Sequence, residues 1–123
     1  MQAIYDKVVI VGETTPTVIT SGNGWTEGVA SGTYTFEEDI KYGLIVCHCE
    51  NSKCTTQPNF GATIDNGRIA MINQMNHDGS SNYGIAHVDI KTYEIKDIPQ
   101  GATLSWTVSN SANAKDILLL KIM

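Results

Sequence analysis

The residues best suited to chemistry in this chain are its three cysteines. Cys47 and Cys49 are separated by one residue, and Cys54 follows five residues later. On a β-strand, Cys47 and Cys49 would point to the same side. Three thiolates and one imidazole can hold zinc in a tetrahedral site. The first hypothesis is therefore a zinc site formed by Cys47, Cys49 and Cys54 with His77 or His87 as the fourth ligand.

The same cysteines have two other interpretations. The spacing C-x-C-x4-C is not a common zinc pattern, and no C-x-x-C motif accompanies it. Cys47 and Cys49 can instead be small apolar residues of the core, where free cysteines usually lie. Cys49 and Cys54 can also form a disulfide across the turn between them. An odd number of cysteines fits a reducing compartment better than a disulfide-stapled secreted fold.

Nothing in the sequence indicates catalysis, and we expect no enzymatic activity. His48 would lie on the strand face opposite Cys47, so these neighbours do not form a nucleophile–base pair. A pair between Cys49 and His77 is geometrically allowed but has no supporting motif. The sequence contains no G-x-S-x-G motif, no P-loop and no H-E-x-x-H motif.

Two other segments carry groups that can bind a ligand or a partner. Residues 77–82 (HDGSSN) are expected to form a loop rich in oxygen ligands, which could hold calcium or be an ordinary solvated turn. Trp25 and Tyr83 are aromatic residues on expected loops, suited to stacking on a sugar or anchoring a partner. The alternative for Trp25 is a plug over one end of the fold.

The elements that must position these residues are short strands. Residues 101–109 alternate strictly, with hydroxyl side chains on one face and apolar side chains on the other: Ala102, Leu104, Trp106 and Val108. Residues 117–120 (ILLL) are apolar on both faces, so they should be covered on both sides, by the protein's own sandwich or by a neighbouring subunit. Asn66-Gly67 predicts a hairpin between the strands that flank it.

The whole pattern predicts an all-β fold, an antiparallel β-sandwich with about eight or nine strands in one domain spanning residues 1–123. The net charge is −5, and no cluster of lysine or arginine is present, so a nucleic-acid partner is not expected. No basic segment leads into an apolar run at the start, and no apolar run approaches the ~18 residues of a membrane helix. We therefore expect neither a signal peptide nor a membrane association.

Three segments resemble small jelly-roll modules of tailed-phage virions. They are residues 32–36 (GTYTF), residues 42–46 (YGLIV) and residues 98–104 (IPQGATL). Modules of this kind serve as capsid decoration proteins, head fibres or tail-fibre tips. The resemblance is one of style across most of the chain, and the cysteine cluster is not part of its pattern.

The resemblance implies a jelly-roll fold and a non-enzymatic structural role. It also implies a homotrimer that contacts other virion proteins such as capsid or fibre, made in the host cytoplasm and located in the virion. A carbohydrate- or receptor-binding module that uses Trp25 or Tyr83 is the first alternative. A metal-binding protein that uses the cysteine cluster is the second.

Overall fold

The computed structural model describes residues 15–21, 31–51, 59–81, 84–109 and 113–123. Within these ranges the chain forms eight β-strands and no helix. The strands are β1 (Thr17–Ser21), β2 (Ser31–Thr35), β3 (Ile40–Asn51), β4 (Asn59–Ile64), β5 (Arg68–Ser81), β6 (Gly84–Ile98), β7 (Thr103–Ser109) and β8 (Asn113–Lys121). None of these ranges contains a helix with the length and apolar character needed to cross a membrane.

The strands form two antiparallel sheets, which confirms the predicted β-sandwich. The five-stranded sheet has the order β1-β8-β3-β6-β5, and the three-stranded sheet has the order β2-β7-β4. A jelly roll wraps a ribbon in which strand 1 pairs with 8, 2 with 7, 3 with 6 and 4 with 5. The first three of these pairs are present. The fourth is not, because β5 pairs with β6 and extends the larger sheet.

The core lies between the two sheets, and its residues follow the period of two. On β7, Leu104, Trp106 and Val108 are buried, while Ser105 and Thr107 are exposed. The predicted alternation of this strand is therefore confirmed, and Trp106 belongs to the core. Other large apolar side chains that are fully buried are Phe36, Ile40, Ile45, Phe60, Ile95, Ile98 and Ile117.

The last strand is apolar on both faces, as its sequence indicates. Ile117 and Leu119 are buried between the sheets. Leu118 and Leu120 lie on the outer face of the larger sheet and are half-buried. There they stand opposite Val46 and Leu44 of β3, respectively. We call these four leucine and valine residues the outer apolar patch.

The prediction of a hairpin at Asn66-Gly67 is wrong, because the two flanking strands, β4 and β5, belong to different sheets. The turn is tied to the start of β7 instead. The Asp65 side chain accepts a hydrogen bond from the Thr103 N–H at 2.8 Å, and the Asp65 N–H donates to the Thr103 carbonyl at 3.2 Å. Gly67, at φ 99°, then turns the chain towards the larger sheet.

Two segments that the sequence suggested were irregular are strands. Residues 77–81, expected to be a loop, continue β5 and pair with β6, with His77 opposite Val88. Residues 113–115 (NAK), whose composition is typical of a turn, begin β8. Hydroxyl and amide side chains are compatible with strands, and here ladder pairing outweighs their preference for turns. The calcium hypothesis depended on a loop at residues 77–81 and loses that support.

Candidate functional site

The structure brings together two of the four predicted metal ligands. Cys47 and Cys49 share the inner face of β3, both are fully buried free cysteines, and their Sγ atoms are 3.3 Å apart. Cys54 lies outside the described residues, and of His77 only the backbone is described. Among the described side chains, no group of three or more His, Cys, Asp or Glu is arranged to hold a metal.

The surroundings of Cys47 favour a neutral thiol. The hydrogen bond with Cys49, followed by burial, raises the pKa of Cys47 far above its ordinary value. A thiol, unlike a thiolate, is a poor metal ligand and a poor nucleophile. His48 lies on the opposite face of β3, with its Nδ1 atom 4.0 Å from Asp116 Oδ2. The geometry therefore favours the interpretation of Cys47 and Cys49 as core residues.

We expect Cys47 and Cys49 to resist alkylation in the folded protein. Iodoacetamide needs an accessible thiolate, and burial together with the raised pKa of Cys47 opposes both requirements. Peptide mapping after treatment at pH 8 should find both residues unmodified, and treatment in 6 M guanidinium should modify both. Rapid labelling of either residue in the native state would contradict this assignment.

A buried polar cluster lies on the same inner face and was missed by the sequence analysis. Lys91 and Asp89 of β6 are 7% and 1% exposed. Lys91 Nζ donates to Asn59 Oδ1 at 2.5 Å and to the Phe60 carbonyl oxygen at 2.7 Å. It also lies 3.8 Å from Asp89 Oδ2. The Gln74 side chain donates to Asp89 Oδ1 at 3.1 Å.

The cluster joins the two sheets at the strand edge where a jelly roll would pair β4 with β5. Asn59 and Phe60 belong to β4, whereas Lys91 and Asp89 belong to β6 of the other sheet. The sequence signal that could have revealed the buried cluster is the alternation of inward- and outward-facing positions along β6. Asp89 and Lys91 share the face of Tyr93 and Ile95, so an alternating strand places a charged pair among its inner positions.

A second feature is the outer side of β5, which has no neighbouring strand among the described residues because β5 is the last strand in the order of the larger sheet. Met71, Ile72 and Met75 are 50%, 54% and 56% exposed. Residues 69–76 (IAMINQMN) contain no charged residue and no proline. We call this segment the β5 edge. Exposed apolar side chains on an uncharged edge strand are typical of a surface that contacts another chain.

A third feature is a cavity of about 310 Å³ at the end of the sandwich where β1, β2 and β8 meet. Phe36, Ile40 and Leu119 line it together with polar residues that include Tyr34 and Glu37. Burial, and to a smaller extent the nearby Glu37 carboxylate, raises the pKa of Tyr34. Trp25 and Tyr83, the aromatic contacts predicted from sequence, lie outside the described residues.

The geometry defines the protein as an antiparallel β-sandwich with an apolar strand edge and a polar cluster between its sheets. Comparison with known proteins adds no relative: no family model, no curated protein and no solved structure matches the chain. A fold of this kind serves many functions. The function therefore has to be argued from the surfaces of the chain itself.

Proposed function

We propose that this protein is a non-enzymatic structural component of a virion, a capsid decoration or fibre module of the tailed-phage type. It acts through protein–protein contacts and assembles with copies of itself, as a homotrimer. The observation that carries the proposal is the β5 edge, where large apolar side chains stand exposed on an uncharged strand.

Within the part of the chain that the structure describes, the β5 edge lacks the usual protection of an edge strand. Natural sheets place lysine, proline or inward-pointing charges at such edges to prevent association. Here Met71, Ile72 and Met75 are each at least half exposed, and only a bulge between Met71 and Asn73 interrupts the ladder. Methionine side chains adapt to irregular partner surfaces. Packing against a second copy would remove this apolar area from water.

Two further observations support an assembled state. The β5–β6 hairpin has the two longest strands of the described fold, of 14 and 15 residues, and provides an extended contact arm. The outer apolar patch of Leu44, Val46, Leu118 and Leu120 lies on the same larger sheet. A sheet that is apolar on both faces normally has both faces covered.

We expect the double variant Ile72→Lys/Met75→Lys to dissociate the assembly. Lysine at these exposed positions puts positive charge into an apolar contact, where it would remain unpaired and desolvated. Light scattering after size-exclusion chromatography should give a trimer for the unaltered protein and a monomer for the variant. Because Val18 is equally exposed (59%) but lies on β1 at the opposite edge, Val18→Lys is the matched control and should remain trimeric.

Either of two results would contradict the proposal. An unaltered protein that is monomeric at high concentration would remove the self-assembly on which the proposal depends. A double variant that remains trimeric would show that the β5 edge is not the contact surface.

A carbohydrate- or receptor-binding module is the second candidate, and the cavity beside Tyr34 favours it. Its lining combines the phenol ring of Tyr34 with the carboxylates of Glu37 and Glu38 and the ammonium group of Lys121. Aromatic and hydrogen-bonding groups around one concave site are what a small polar ligand needs. A monomer in the scattering experiment would favour this candidate over the structural one.

A further inference from the structure

We propose that the protein cross-links its own two sheets through an isopeptide bond between Lys91 Nζ and Asn59 Cγ, with the Asp89 carboxyl group as the proton carrier. The bond would join β6 of the larger sheet to β4 of the smaller one. This inference rests on the buried polar cluster and does not depend on the proposed function, because a monomer can carry the bond equally well.

The first argument is the approach of the two reacting groups. Lys91 Nζ lies 2.5 Å from Asn59 Oδ1. Because a C=O bond is about 1.23 Å long, the Asn59 Cγ atom lies within about 3.7 Å of the Lys91 nitrogen. Reacting atoms held about 3–3.5 Å apart gain a large rate advantage over free reactants. The hydrogen bond therefore holds the amine close to attacking distance of the amide carbon.

The second argument is the state of Asp89. Its Oδ1 atom accepts from Gln74, but Oδ2 is fully buried and has no hydrogen-bond partner. Oδ2 lies 3.8 Å from Lys91 Nζ, and the two side chains are 0% and 8% exposed. A buried ion pair is costly when its hydrogen bonds are incomplete. The first step of the proposed reaction is therefore the transfer of one proton from Lys91 Nζ to Asp89 Oδ2, which leaves a neutral amine and a carboxylic acid.

The reaction balances without any further reagent. The lone pair of the neutral Lys91 amine forms a bond to Asn59 Cγ. Asp89 gives its proton to the Asn59 amide nitrogen and takes one from Lys91 Nζ. The Cγ–Nδ2 bond of Asn59 then breaks, and its electron pair leaves with ammonia. The acid on Asp89 finally passes its proton to ammonia, so the net products are a secondary amide and an ammonium ion.

The surroundings of Lys91 and those of Asn59 suit this chemistry in different ways. Phe60, Tyr93 and Trp106 are buried core residues around the cluster, with ring centroids of Phe60 5.9 Å from Tyr93 and 6.4 Å from Trp106. A site that excludes water strengthens electrostatic interactions and protects intermediates from hydrolysis. Asn59, in contrast, is exposed at the start of β4, which gives the released ammonia a path to solvent.

The bond would also compensate for the departure from a jelly roll. Among the described strands, β4 is an edge strand of the smaller sheet, because β5 pairs with β6 instead. The Phe60 carbonyl oxygen accepts hydrogen bonds from Lys91 at 2.7 Å and Tyr93 at 3.4 Å. Side chains from β6 therefore provide the hydrogen bonds at this edge. A covalent link at Asn59 would fix the edge permanently.

The test is mass spectrometry of the full chain. We expect the intact protein, denatured before measurement, to be lighter than its sequence by about 17 Da, the mass of one ammonia. A tryptic digest should contain the Asn59 peptide joined to the Lys91 peptide, with no cleavage after Lys91. Asn59→Ala, which leaves Lys91 and Asp89 in place, should restore the full mass. Asp89→Asn should accumulate the unlinked form.

A control is needed because the two Asn-Gly steps, Asn23-Gly24 and Asn66-Gly67, can also lose ammonia by succinimide formation. The double variant Asn23→Ser/Asn66→Ser removes both routes and should keep both the mass deficit and the joined peptide. Complete peptide mapping of the folded, unaltered protein that finds Asn59 and Lys91 only in separate peptides would overturn the proposal. A folded Asp89→Asn variant that links as fully as the unaltered protein would overturn the role of Asp89.

Discussion

Replacing Lys91 with alanine is expected to lower the free energy of unfolding by about 3–5 kcal/mol relative to the unlinked protein, the range for removing one partner of a buried ion pair. The Asp89 carboxyl group would remain buried with only the Gln74 amide to solvate it. The Phe60 carbonyl oxygen would also lose the shorter of its two side-chain hydrogen bonds. Urea denaturation followed by circular dichroism would measure the difference.

Lys96 provides the matched control for this prediction. It lies on the same strand, but its side chain is 48% exposed and pairs with Glu94 at 3.1 Å on the outer face. Exposed ion pairs contribute about 0–1 kcal/mol, so Lys96→Ala should have a small effect. Equal effects of the two substitutions would contradict the importance of the buried cluster.

A second comparison separates the ionic contribution of Lys91 from a covalent one. Asn59→Ala removes the cross-linking partner but keeps Lys91 beside Asp89. If the free energy of unfolding falls further in Lys91→Ala than in Asn59→Ala, the difference measures the cost of leaving the Asp89 carboxyl group buried without Lys91. If the two losses were equal, the unpaired carboxyl group would not be the cause.

The sequence predicted the fold class because alternation is set by each strand alone. Residues 101–109 show it without knowledge of any partner, and the structure places Leu104, Trp106 and Val108 in the core. The same period also placed Cys47 and Cys49 on one face of β3. Which strand pairs with which is a different question, since it depends on contacts between residues far apart in the chain.

The buried cluster escaped the sequence analysis for a related reason. Lysine and aspartate are almost never fully buried unless they are paired, so the sequence does not predict Asp89 and Lys91 as core residues. Their burial depends on the Asn59 oxygen and the Phe60 carbonyl, which come from a strand about 30 positions earlier in the chain. No local pattern links these segments. The alternation of β6 alone could only have shown that two charged residues, Asp89 and Lys91, fall at inward-facing positions.

The turn at Gly67 shows how a correct local signal led to a wrong pairing. Asn-Gly supplies residues that tolerate positive φ, and Gly67 does adopt φ 99°. A hairpin, however, also requires that the strands on both sides remain neighbours. The hydrogen bonds between Asp65 and Thr103 hold the turn against β7, and β5 then pairs within the larger sheet and not with β4.

Gly67→Ala is accordingly expected to be strongly destabilising, and Gly101→Ala is its matched control. Both glycines have positive φ, 99° and 90°, so both substitutions should cost about 1–2 kcal/mol in backbone strain. A Cβ atom at Gly101 would meet no atom within 4 Å. At Gly67 it would overlap Ile98 Cδ1 and lie 3.0 Å from the Asp97 carbonyl oxygen.

The crowding at Gly67 should add about 1–3 kcal/mol, the usual cost of overpacking a core. Ile98 is fully buried, so its Cδ1 atom cannot move without disturbing the packing between the sheets. Thermal unfolding of the two variants would measure the difference directly. Equal losses of stability would mean that backbone strain alone constrains Gly67. A larger loss at Gly67 would show that the close contact with Ile98 helps to hold the end of β6 against the turn that sends β5 into the larger sheet.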